Sequence, residues 1–176
     1  MKRLNIIIFT ALLLSACTGH KPLKTVDYVD LQKFMGDWYV IAGIPTIFEK
    51  GAHNPVESYS LNVDGSIGTL FTFNANSFDG QQKSYTPTAY IKNTVTNAQW
   101  GMQFIWPIKA DYRIVYLDAD YQYTIIARNK RDYVWLMARS AKIPEPIYAE
   151  LRDYIASIGY DIDLLQRFPH QQLTEK

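Results

Sequence analysis

The sequence predicts an all-β protein: an eight-stranded antiparallel up-and-down β-barrel with one C-terminal α-helix packed on its wall. Two observations carry this prediction. Between residues 37 and 139 the chain alternates short runs rich in Tyr, Phe, Ile, Val and Thr, which favour strands, with turn residues at short intervals. A single segment with helical spacing of its apolar residues follows this region.

The eight runs are joined by short connections. Asp64-Gly65 is the strongest turn signal, because glycine accepts the positive φ of a type I′ hairpin. Short connections favour antiparallel neighbours, and closing the sheet on itself would remove its exposed edges. The predicted strands are 37–44, 54–63, 66–75, 83–92, 98–106, 111–117, 120–128 and 132–139.

The helical segment lies between Pro144 and Gly159. Pro144 and Pro146 suit a first helical turn, and Gly159 suits the position just past the last one. A single apolar stripe on one helix has to pack against another surface, and the barrel wall is the expected one. The stripe consists of Ile147, Leu151, Tyr154, Ile155 and Ile158.

The N-terminus resembles a bacterial lipoprotein signal. Lys2 and Arg3 precede an apolar stretch that is too short to span a bilayer, which needs about 20 apolar residues. Leu14-Ser-Ala-Cys17 then resembles the box at which signal peptidase cuts before an acylated cysteine. We therefore expect a signal peptide at 1–16, a lipidated tether at 17–26 and the barrel domain at 27–176. An ordinary secretory signal with a chance cysteine is the alternative.

Charge and residue spacing argue against several functions. The formal charge is +1, with 18 basic and 17 acidic residues and no basic run, which argues against nucleic-acid binding. His20, His53 and His170 lie in the tether, a loop and the tail, with neither metal-ligand nor triad spacing. We therefore predict no catalytic residue, no metal site and no cofactor.

Three motifs, in order along the chain, resemble those of the lipocalins, and within them the bacterial outer-membrane lipoprotein lipocalins. Gly36-Asp-Trp38 matches the Gly-x-Trp motif at the first strand, and Asp118 with Tyr121 resembles the acidic turn of the second. Arg139 matches the basic residue of the third. The resemblance covers roughly residues 27–168 and implies that Arg139 packs over the indole of Trp38.

The side chains that point into such a barrel decide its function, because an eight-stranded barrel either fills itself or holds one small ligand. Alternation along the strands predicts an apolar and aromatic lining, although a β-bulge would reverse the facing of a strand. Core packing of the same residues is the alternative to a ligand cavity. The predicted lining residues are Val40, Ala42, Tyr112, Ile114, Tyr116, Trp135 and Met137.

Two further segments concern the open end. The resemblance implies that residues 43–55 lie across it as a lid, and Ile44, Ile47 and Phe48 would give this lid an apolar underside. The apolar run from Met102 to Trp106 predicts either a contact with membrane or ligand at the mouth, or a buried strand.

The resemblance and the predicted lining together imply a membrane-anchored protein that binds, stores or transports a hydrophobic molecule in the cell envelope. A fatty acid or a lysophospholipid is the expected ligand, and Thr18 in place of Asp favours the outer membrane. Two alternatives stay open: a structural or assembly lipoprotein with a filled barrel, and a lipocalin-type enzyme. The sequence identifies no protein partner.

Overall fold

The structure is a computed structural model that describes residues 21–171. The predicted signal peptide and Cys17 lie outside the described residues. The helical elements are α1 (Leu31–Phe34), α2 (Glu145–Ser157) and a 3₁₀ turn (Ile162–Leu164). The strands are β1 (Gly36–Gly43), β2 (Ala52–Leu61), β3 (Ile67–Ala75), β4 (Gln82–Tyr85), β5 (Thr88–Ile91), β6 (Gln99–Ile105), β7 (Ile108–Leu117), β8 (Tyr123–Ala127), β9 (Val134–Ala138) and β10 (Gln166–Arg167).

The strands form a closed antiparallel barrel. Neighbours pair in chain order, and β9 pairs back onto β1, so that Tyr39 lies opposite Ala138. The predicted strand 83–92 is divided into β4 and β5 at Pro87, because proline has no N–H to give to the ladder. Both pieces pair with β3. Counting β4 and β5 as one wall strand, the predicted eight-stranded barrel is confirmed.

The chain closes one end of the barrel and leaves the other to loops. At the closed end, Asp30 caps α1 by accepting from the backbone N–H groups of Gln32 and Lys33, and it places Phe34 in the core. The connections 62–66, 92–98 and 118–122 lie at this end. We call the opposite end the mouth; its connections are 44–51, 76–81, 106–107 and 128–133.

Two apolar clusters occupy the two faces of the sheet. The inner cluster fills the inside of the barrel, and the outer cluster lies between the wall and α2. Leu151 and Ile155 of α2 are buried in the outer cluster against residues such as Leu136. The helix therefore packs as predicted, and Gly159 follows it with a φ of +92°.

The segment before α1 also packs on the barrel. The N–H of Leu23 donates to Asn129 Oδ1 (2.9 Å), and the N–H of Val26 donates to the carbonyl of Ile114 (3.0 Å). Residues 23–26 therefore lie against the wall, although the sequence predicts them as part of the tether. Leu23 lies at the mouth, beside Asn129. Between residues 21 and 171, no helix has the length and apolar character of a membrane span.

Arg139 and Trp38 fasten the closed end. Trp38 is fully buried and its Nε1 donates to the carbonyl of Phe34 (2.9 Å). The guanidinium carbon of Arg139 lies 3.8 Å from the Trp38 ring centroid, which is the pairing that the resemblance implies. The same guanidinium donates to four carbonyls in the segment 33–37, those of Lys33, Phe34, Met35 and Asp37.

The acidic turn completes this end. The Asp118 carboxylate accepts from the backbone N–H groups of Asp120 and Gln122. Tyr121, which has a φ of +56°, accepts from the N–H of Asp30 with its hydroxyl (2.9 Å). Gly36 adopts a φ of +91° beside Arg139, and a Cβ there would lie 3.4 Å from Arg139 Nη1.

Replacing Arg139 with Lys tests this arrangement. The variant keeps the charge but loses the planar fork that reaches several carbonyls at once, so we expect the free energy of unfolding to fall by about 2 kcal/mol. Urea unfolding followed by tryptophan fluorescence measures the change. Arg152→Lys, on the outer side of α2, is the matched control and should leave stability unchanged. Equal stabilities for the two variants would contradict the role of Arg139.

Candidate functional site

The lower half of the barrel is filled by the protein's own side chains. Trp38, Trp100 and Ile114 are fully buried there. The Phe34 ring lies 5.1 Å from that of Trp38 and 5.4 Å from that of Trp100, the second in an edge-to-face arrangement. Because these rings close-pack, the lower half offers no room for a ligand.

The upper half is an aromatic cup. Trp100 stacks on Tyr112 with ring centroids 5.3 Å apart, and Tyr112 stacks on Trp135 at 6.5 Å. Across from this row, Phe73 stacks with Tyr85 at 6.3 Å. Trp135 and Tyr85 pack against the inner cluster but are only partly buried. We call the upper half of the barrel, which these partly accessible rings line, the calyx.

Five of the seven residues predicted to line the barrel lie on its inner face, and two lie on its outer face. Ala42 lies opposite Leu136 in the outer cluster, and the Tyr116 ring lies 5.4 Å from that of Tyr154 on α2. Irregular pairing between Val40 and Ala42, and between Ile114 and Tyr116, shifts the alternation by one residue at each place. The lining residues that lie inside are Val40, Tyr112, Ile114, Trp135 and Met137.

Glu57 is an inner-wall residue that the sequence analysis did not identify. It lies opposite Trp38 on one side and Phe71 on the other, and both of these side chains belong to the inner cluster. Glu57 keeps part of its surface accessible and makes no side-chain hydrogen bond within residues 21–171. Alternation with Tyr59 in the predicted strand 54–63 is the signal that would have placed it inside.

The surroundings of Glu57 favour its neutral form. Burial, and then the charge of Glu49, raise the pKa of Glu57 to about 8. The hydroxyls of Tyr59 and Tyr112 are hydrogen-bonded to each other close by. Burial raises the pKa of both tyrosines, and Glu57 raises them further. Glu57, Tyr59 and Tyr112 thus form a polar patch on an otherwise apolar inner wall, at the floor of the calyx.

The loop 44–51 is fastened across the mouth by Glu49. The buried Glu49 carboxylate accepts from Trp135 Nε1 (2.8 Å) with one oxygen and from the Thr46 N–H (2.7 Å) with the other. The predicted apolar underside is present only in part. Ile44 packs in the outer cluster and Ile47 is exposed, whereas the Phe48 ring, although largely exposed, lies 6.0 Å from that of Tyr85. The Glu49 carboxylate and the Phe48 ring together hold this loop to the calyx.

The apolar run at the β6–β7 connection divides between core and solvent. Met102 belongs to the inner cluster. The residues at the tip of the hairpin point into solvent at the mouth, with exposed fractions between 64% and 83%. We call this group the mouth hairpin; it consists of Phe104, Ile105, Trp106 and Ile108.

The described residues also form clefts outside the barrel and lack a cluster of metal ligands. Residues 21–171 contain no group of three His, Cys, Asp or Glu side chains placed to hold a metal ion. Two clefts of about 400 and 410 Å³ lie outside the barrel. One is at the closed end beside Lys33 and Arg139, and the other lies between the segment 24–28 and Tyr154.

Replacing Glu57 with Gln tests the burial of this carboxyl. Because the pKa of Glu57 rises from 4.5 to about 8 on folding, the folded state binds the extra proton and stability falls as pH rises through this window. The free energy of unfolding of the variant should rise relative to that of the wild type between pH 5 and pH 8, by at most about 1.4 kcal/mol per pH unit. Urea unfolding across this range measures the difference. A difference that stays constant with pH, as expected for the surface control Glu150→Gln, would contradict the assignment.

Comparison with known proteins agrees with this geometry. The sequence model of the lipocalin-like domain family matches residues 29–170. Temperature-induced lipocalin-1 of Arabidopsis thaliana is 30% identical over 161 residues, which cover 86% of this chain and 85% of that protein. Outer membrane lipoprotein Blc of Escherichia coli K12 is 27% identical over 155 residues, covering 86% and 87% of the two chains.

A solved structure shows the same fold at lower identity. Insecticyanin from the tobacco hornworm Manduca sexta superposes with a TM-score of 0.68 at 13% identity, covering 87% of each chain. The likeness extends over the closed barrel and the helix on its wall. The chain belongs to the lipocalin family, and it is similar to the bacterial outer-membrane lipoproteins within it.

Proposed function

We propose that this protein is a lipid-anchored carrier of the cell envelope that holds a hydrophobic molecule with a single acyl chain, a fatty acid or a lysophospholipid, in its calyx. The observation that carries the proposal is the accessible aromatic surface of Trp135 and Tyr85 inside the upper half of the barrel. Binding of small hydrophobic molecules is typical of the family to which the chain belongs.

The calyx wall suits an acyl chain. Its rings and aliphatic side chains offer apolar contact without fixed hydrogen-bonding demands, and burial contributes about 25 cal/mol for each Å² removed from water. The ligand would run along the stacked rings of Tyr112 and Trp135 towards the mouth. Glu49, bonded to Trp135, would close over it from the loop 44–51.

The anchor proposal rests on where the described chain begins. Leu23 is held by Asn129 in the connection 128–133, so the chain leaves the barrel at the mouth. The residues from Cys17 to Leu23 span at most about 20 Å when extended. An acylated Cys17 would therefore hold the mouth and its exposed hairpin close to the membrane. Two or more acyl chains are needed for stable attachment. The relatives named outer membrane lipoprotein support the outer membrane as the location.

A filled barrel that serves a structural or assembly role is the second candidate. The continuous stack of Trp100, Tyr112 and Trp135 across the interior favours it, because these rings already pack on one another. The exposed mouth hairpin would then contact a protein partner rather than a membrane. The two candidates differ in whether the interior takes up a ligand.

Titration with a fluorescent fatty acid, and displacement by a lysophospholipid, separates them. We expect saturable binding of one molecule per chain, and a loss of affinity of about tenfold or more for Trp135→Ala, because this ring lines the calyx. Tyr116→Ala is the matched control, since Tyr116 packs outside the barrel on α2. The absence of saturable binding would favour the filled barrel, and equal losses in both variants would contradict the inside-outside assignment.

Cell fractionation tests the anchor. Cys17→Ser removes the acylation site, so we expect the protein to move from the membrane to the soluble fraction. With Cys17 intact, Trp106→Ser should lower the fraction of the protein that stays on the membrane after washing at high pH. The reason is that this substitution removes an exposed apolar side chain next to the membrane. Val95→Ser is the matched control, as Val95 is equally exposed but lies at the closed end. Retention of the Cys17→Ser variant on the membrane would refute the anchor.

A further inference from the structure

We infer that the floor of the calyx is a head-group subsite, built from Glu57, Tyr59 and Tyr112, which selects long-chain amphiphiles with an amine head over those with a carboxylate head. This inference rests on the proposed function, because it requires that the ligand enters the barrel. It narrows the ligand of that proposal, because the carboxylate of a fatty acid would bind more weakly than an amine. It also adds the orientation of the ligand, with the head down and the chain towards the mouth.

The Glu57 carboxyl lacks a hydrogen-bond donor among the described residues. It points into the barrel and forms no side-chain hydrogen bond within residues 21–171. A buried carboxyl without a partner is costly in its charged form and leaves its oxygens unsatisfied in either form. Its accessible surface shows that space remains beside it. A ligand atom that donates hydrogen bonds would fill this space and satisfy the carboxyl.

The groups that surround Glu57 do not supply a compensating cation. Glu49 on the loop 44–51 adds a second negative charge, which acts to keep Glu57 protonated. Tyr59 and Tyr112 are neutral and are bonded to each other. Arg139 at the closed end is occupied by four backbone carbonyls, and Lys83 on β4 donates to Gln81. Within residues 21–171 no cationic side chain bonds to the Glu57 carboxyl, so the subsite is negative or neutral and open to a cationic head.

An ammonium head fits the subsite on two counts. It donates up to three hydrogen bonds, which the Glu57 carboxylate and the tyrosine hydroxyls accept. Its positive charge also favours the ionised form of Glu57, because an opposite charge beside a carboxyl stabilises the carboxylate. A carboxylate head, by contrast, would place a like charge beside Glu57 and be repelled once that residue ionises.

Competition binding tests the inference. The protein is the mature chain from residue 17 with Cys17→Ser, which contains both apolar clusters and all the strands described. Tetradecylamine, tetradecanol and tetradecanoate displace the neutral fluorescent probe N-phenyl-1-naphthylamine at pH 9, where Glu57 is mostly ionised. We expect the amine to bind at least tenfold more tightly than the carboxylate, with the alcohol between them.

Two variants assign the preference to Glu57. In Glu57→Gln, and in Glu57→Ala, the affinities for amine and carboxylate should converge to within about threefold while the probe still binds. Glu150→Gln on the outside of the barrel should keep the wild-type preference. A preference that persists in both Glu57 variants, or one that is missing in the wild type, would overturn the inference and leave the carrier proposal standing. A probe that does not bind at all would overturn the carrier proposal and this inference with it.

Discussion

The barrel depends on how its closed end is sealed. Arg139, at the end of the last wall strand, reaches over Trp38 on the first and donates to the carbonyls that α1 and its neighbours leave unpaired. One side chain thereby joins the strands that must meet for the sheet to close, and pairs with backbone carbonyls at the end of α1. With this end filled and fixed, only the upper half of the barrel is available to a ligand.

Two irregularities decide what the upper half presents. A perfectly alternating β1 and β7 would have directed Ala42 and Tyr116 inward, whereas the shifts beside them send both to the outer cluster. The outer wall thereby gains the apolar surface that α2 covers. On the inner wall, Tyr112 and Trp135 remain stacked on each other, and Glu57 lies opposite Trp38. The same local geometry therefore serves the packing of the helix and the shape of the calyx.

The sequence was sufficient for the architecture because its signals are local. Asp64-Gly65 and the apolar stripe from Ile147 to Ile158 each depend on neighbouring residues, and they lead to the observed hairpin and helix. The hairpin differs from the predicted type I′ turn, because Gly65 has a positive φ and Asp64 does not, and the connection is the segment 62–66. The facing of Tyr116 was not predictable, because a bulge depends on how two strands pair across the sheet. Glu57 was overlooked because a charged residue in an alternating strand ordinarily faces solvent. Its alternation with Tyr59 is consistent with an inward position, and its register with Trp38 and Phe71 establishes it.

Both proposals require that the upper half of the barrel holds a small amphiphile. Native mass spectrometry of the protein released gently from membranes of the producing cell tests this claim most directly. We expect a population heavier than the ligand-free protein by the mass of one amphiphile, which dissociates on activation and is depleted in the Trp135→Ala variant. A single species with the mass of the ligand-free protein, under conditions that preserve other lipid complexes, would contradict this proposal.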